Sequence, residues 1–112
     1  RVYMDMPTGV SEIAANTTLR LKITLGGTTV GHVKLSPTLD GNSTSTTWNA
    51  IGLGQLNVNA ATGGAGTVLY TSNLPSSYLL GIQQVTAILG LSNLATNSVS
   101  KICIDSIELE VV

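Results

Sequence analysis

The two residues of this chain that come closest to a catalytic pair are glutamates near its end. Glu108 and Glu110 alternate with apolar residues in a strand-like segment, so their side chains share one face about 7 Å apart. A glycosidase needs two carboxyl groups about 5–10 Å apart across a sugar. Neighbouring glutamates on the outer face of a terminal strand more often keep that strand soluble, and we expect this role here.

A metal or acid–base site would need clustered side chains, and the remaining candidates are scattered. Asp5, Asp40 and Asp105 are the carboxylates that a calcium site could use, but no loop carries aspartates at alternating positions. His32 stands beside Lys34 on the polar face of a predicted strand, and we expect it to be an exposed surface residue. The sequence therefore predicts no catalytic residues, no metal and no cofactor.

Two further features of the sequence have structural explanations. Gly63, Gly64 and Gly66 superficially resemble a phosphate-binding loop, but they lack its lysine and its strand–turn–helix context. Cys103 is the only cysteine, so the chain forms no internal disulfide. It lies in an apolar Ile-Cys-Ile run, and we expect a small buried hydrophobic residue.

Aromatic residues and sequons are the features that could involve a surface glycan. Sugar-binding modules use exposed aromatic rings, but for isolated aromatics packing in a core or an interface is the preferred interpretation. The sequence contains four aromatic residues: Tyr3, Trp48, Tyr70 and Tyr78. Asn16 and Asn42 begin Asn-X-Thr sequons, which matter only if the protein is exported in an organism that glycosylates.

The length and the first residue of the chain indicate how it is organised into domains. A chain of 112 residues makes one domain, so we expect a single domain over residues 1–112. Residues 1–6 are expected to include an N-terminal strand. Because the chain starts at Arg1, inside a strand-like segment and without an initiator Met, we expect a processed protein or a piece of a longer one.

Charge and hydrophobicity limit the possible partners. Five basic and six acidic residues give a net charge of −1 without a basic patch, which disfavours binding to nucleic acid. The apolar stretches are too short to insert into a membrane. With 43% hydrophobic and only 10% charged residues, we expect some apolar surface to meet another subunit. The alternative is a soluble monomer with a threonine-rich coat.

The first half of the chain shows the clearest strands. In Thr18–Leu25, apolar residues alternate with Arg, Lys and Thr, which predicts a strand with one buried face formed by Leu19, Leu21, Ile23 and Leu25. The following Gly26-Gly27 predicts a tight hairpin into a return strand over residues 28–35. Residues 36–46 contain Pro, Asp-Gly and a Ser/Thr run, and they predict a loop.

The second half predicts shorter and more irregular strands. Residues 48–60 form a long strand with a bulge or bend near Gly52 and Gly54, suited to a crossing between two sheets. A turn over 61–66, a strand over 67–71 and a loop over 73–77 follow. Residues 78–89 fit a strand centred on 83–89 better than a helix, and 91–97 predict a loop. In residues 99–112 apolar residues alternate with other residues, and the phase of this alternation shifts at Asp105-Ser106.

Together with a strand at residues 2–6, these segments make about eight short strands and no confident helix. Eight strands in a chain of this length are typical of an all-β fold in which two antiparallel sheets pack as a sandwich. Among sandwich topologies, we expect a jelly roll.

Several motifs resemble those of jelly-roll structural domains in the virions of tailed phages. They are an alternating hairpin-like stretch TLRLKITLGGTTV at residues 18–30, a strand entered through Trp48, a glycine-rich TGGAGTVL at 62–69 and a closing strand at 101–112. The similarity in order and spacing covers most of residues 15–112, and residues 78–89 fit it less well. It implies a head fibre, decoration protein or tail-fibre tip at the virion surface, often a homotrimer in contact with other virion proteins.

The leading hypothesis is therefore a non-enzymatic structural protein of a virus particle that acts through subunit assembly and could attach to a host surface. One alternative is a subunit of an extracellular filament, in which residues 2–6 complete the sheet of a neighbour by strand addition. Another is a carbohydrate-binding module. The sequence does not predict which residues would bind a ligand.

Overall fold

The computed structural model describes residues 2–5, 18–42, 48–75, 84–94 and 99–112. These residues form nine strands: β1 (Val2–Asp5), β2 (Thr18–Leu25), β3 (His32–Asn42), β4 (Trp48–Gly52), β5 (Leu56–Asn59), β6 (Val68–Tyr70), β7 (Leu74–Pro75), β8 (Gln84–Asn93) and β9 (Ile104–Val111). The described residues contain no helix, and thus none long and apolar enough to cross a membrane.

Two antiparallel sheets pack face to face, which confirms the predicted all-β sandwich. In the first sheet the order is β1-β8-β3, and β4 and β5 pair with successive parts of the far edge of β3. In the second sheet β2 is central, with β9 on one edge and β6 and β7 on the other. The jelly-roll topology stays a prediction from the sequence.

The buried face of β2 confirms the alternation seen in the sequence. Its four apolar side chains are at most 1% exposed. They pack against side chains of the first sheet such as Leu35, Leu39 and Val85, so the core lies between the sheets. Burial of each such side chain contributes about 1.5–3 kcal/mol, which makes β2 the centre of the sandwich.

The predicted hairpin at Gly26-Gly27 is wrong, because β3 belongs to the other sheet. The described glycines with positive φ are Gly31, Gly54 and Gly66, so the Gly-Gly pair does not form a turn of the primed type. A Cβ on Gly26 would lie 3.1 Å from Asp105 Cβ in the bulge of β9, and a Cβ on Gly27 would lie 3.1 Å from Cys103 Sγ just before that strand. The pair therefore allows a close approach of two backbones while the chain crosses between the sheets.

The predicted loop over residues 36–46 is wrong up to Asn42, because β3 continues to that residue. Pro37 does not interrupt the strand. Its carbonyl accepts a hydrogen bond from Leu53 N (2.9 Å), so its backbone groups face the short gap between β4 and β5. At this gap no ladder partner needs the N–H that proline lacks. Residues 43–46 lie outside the described residues.

The irregularity predicted near Gly52 and Gly54 is present, but it separates two strands. Gly54 has a φ of +85°, and it lies in the break between β4 and β5. Both strands pair with β3, so the predicted crossing between sheets at this point is wrong. A continuous strand at this position would need a backbone N–H at every ladder position of its partner strand β3. Pro37 in β3 lacks this N–H.

β8 confirms the strand centred on residues 83–89 and extends beyond it. It runs to Asn93, so the predicted loop over 91–97 is wrong at residues 91–93. Residues 78–83 and 95–97 lie outside the described residues. The predicted loop over 73–77 contains the short strand β7, which pairs with the start of β2.

The shift at Asp105-Ser106 is confirmed as a β-bulge. Thr24 lies opposite Ser106, whereas the next residue of β2, Leu25, lies opposite Ile104. Asp105 is therefore the extra residue, and it restores Ile104 to the inner face. The predicted N-terminal strand is also confirmed at residues 2–5, where β1 pairs with β8.

Candidate functional site

The glutamate pair is part of a polar row on the outer face of the second sheet. Glu110 Oε1 accepts a hydrogen bond from Nε of Arg20 (2.7 Å) and forms an ion pair with Nη2 of the same side chain (2.6 Å). The guanidinium of Arg20 lies 3.7 Å from the ring centroid of Tyr70. Glu110 is thus held by an ion pair on a solvated surface, and Glu108 beside it is exposed. This arrangement is that of a structural surface row, which stabilises the fold by about 0–1 kcal/mol per exposed pair.

The aromatic candidates for glycan binding are spread over the fold. Tyr70 is 44% exposed, but Arg20 covers one face of its ring. Tyr3 lies in β1, and Trp48 opens β4 opposite Asn42 in the neighbouring strand. Tyr78, Asn16, Thr17, Ser43 and Thr44 lie outside the described residues, so each sequon is described only in part. Tyr3 and Trp48 therefore belong to two strands of the first sheet, and Tyr70 belongs to the second sheet.

The three aspartates lie on different strands. Asp5 is in β1 and Asp40 in β3, whereas Asp105 forms the bulge of β9 in the other sheet. Among the described residues no group of three His, Cys, Asp or Glu side chains could hold a metal ion. Asp40 has one buried carboxylate oxygen without a hydrogen-bond partner, on a side chain that is only partly buried.

His32 and Cys103 are both half-buried, which corrects the expectation of an exposed histidine and a buried cysteine. The backbone of His32 is tied to the segment before β9, because its N–H donates to Ser100 Oγ (3.2 Å). The Cys103 thiol is free, and its Sγ lies beside Gly27. Each residue is placed where two segments pack closely at the end of the sandwich.

The glycine-rich segment is a packing turn. Gly63 is buried, and its carbonyl accepts from both the N–H and the Oγ1 of Thr29, each at 2.8 Å. Gly66 has a φ of +82°, as a turn requires. A phosphate loop binds its ligand through converging N–H donors, whereas the bonds to Thr29 use the carbonyl of Gly63. The prediction that these glycines are structural agrees with this geometry.

The two lateral sides of the sandwich differ in how they are closed. On one side Ser72 N donates to Leu53 O (3.0 Å), and this bond links the β6–β7 connection to the β4–β5 connection. The opposite side is formed by β8 and β9, and we call it the open side. Within the described part of the chain, no strand covers the outer edge of β9 or the outer edge of β8 beyond Ala87.

Large apolar side chains are exposed at one end of the open side. We call this group the apolar end; it consists of Val30 (50% exposed), Leu91 (60%), Leu94 (44%) and Val99 (84%). Hydrogen bonds hold its segments together: Val30 N donates to Lys101 O, and Leu94 N donates to His32 O, both at 2.8 Å. Large apolar side chains exposed on neighbouring segments are typical of an interaction site.

Sequence reasoning missed this surface because it placed residues 91–97 in a loop. A signal was present, since apolar residues alternate at Val85, Ala87, Leu89 and Leu91. Extending this period through Gly90 would have predicted a longer strand without charged residues.

In comparisons with protein-family models, curated proteins and solved structures, nothing matches this chain.

Proposed function

We propose that this domain is a non-enzymatic structural protein of a virus particle that acts by assembling with copies of itself and with other virion proteins. The decoration protein, head fibre and tail appendage are the three positions that the motif resemblance implies. On this proposal the domain lies at the virion surface, where it is placed to contact a host surface.

The observation that carries the proposal is the open side with its apolar end. The four side chains of that end expose apolar surface where a monomer of this size usually carries charges. A domain with a net charge of −1 also has little electrostatic repulsion to keep its copies apart. Both features favour burial of this surface against another subunit.

Self-association is tested by light scattering on the isolated domain at micromolar concentration. We expect a closed assembly with a mass that is a fixed multiple of the 11.5 kDa chain. The resemblance implies three subunits, which would require a contact of three-fold symmetry.

Other outcomes would contradict the proposal and favour its alternatives. A mass that increases without limit with concentration would indicate the filament subunit. A clean monomer that binds glycans through one of its aromatic residues would indicate the carbohydrate-binding module.

A further inference from the structure

We draw no further inference here: the strongest candidate, the apolar end formed by Val30, Leu91, Leu94 and Val99, belongs to the surface already described, and nothing in the structure shows what covers it.

Discussion

Replacing Leu21 with alanine should lower the free energy of unfolding by about 2–5 kcal/mol. Leu21 is fully buried at the centre of β2, and it packs in the cluster that contains Leu39 and Ala87 of the opposite sheet. The substitution removes the packed side chain and leaves a cavity between the two sheets. The sheets cannot close this cavity without disturbing the hydrogen bonds between their strands. Its backbone bonds with Thr71 should persist, because alanine keeps the same N–H and C=O.

The control for this prediction is Thr24→Ala, on the outer face of the same strand. Thr24 is half-buried, and its loss should change stability by about 0.5 kcal/mol or less. Denaturant unfolding monitored by circular dichroism measures both variants. Similar midpoints for the two would show that the buried and exposed faces of β2 are wrongly assigned.

Gly63→Ala should also destabilise the domain strongly, although it adds only a methyl group. A Cβ at this position would overlap Val58 Cγ1 and Thr29 Oγ1, and it would lie 3.0 Å from Asn59 O. Thr29 is fully buried, and both its N–H and its hydroxyl bond to the Gly63 carbonyl. Overpacking costs about 1–3 kcal/mol, and an unsatisfied buried hydroxyl adds about 1–3 kcal/mol.

The adjacent glycine provides a matched control. A Cβ on Gly64 would meet nothing within 4 Å, and its φ is not positive. Gly64→Ala should therefore leave the unfolding midpoint unchanged or raise it slightly, because alanine restricts the unfolded chain. Equal destabilisation by both substitutions would show that the turn resists any side chain and that close packing at Gly63 is not the cause.

Local alternation in the sequence predicted the strands whose pattern is regular. β2 has the predicted bounds, and the change of phase at Asp105 corresponds to a bulge opposite Thr24 and Leu25. Side-chain direction alternates along a strand whatever its neighbours are, so this property is encoded locally. The face of each strand and the irregularity of β9 could therefore be predicted.

The partners of the strands could not be predicted in the same way, because pairing depends on distant segments. Gly26-Gly27 has the composition of a hairpin turn, but it lies in a crossing between sheets, where it lets the segment before β9 approach. Pro37 has the composition of a loop, but it is tolerated in β3 because its backbone faces the gap between β4 and β5. In both cases a tertiary neighbour decides the outcome.

The sequence predicted that the candidate surface exists but not where it lies. The excess of apolar over charged residues predicted an interaction surface without its location. Locating it requires knowing that β1 covers only the first part of the outer edge of β8. It also requires knowing that Leu91 and Val99 are exposed, which is a property of the folded chain.

The claim that this domain belongs to a virus particle is tested most directly by immunogold electron microscopy of the native source. An antibody raised against the folded domain is applied to purified particles and, separately, to the extracellular material that remains after their removal. We expect gold at regular positions on the surface of intact particles. Gold along extracellular filaments, with unlabelled particles, would contradict the proposed role.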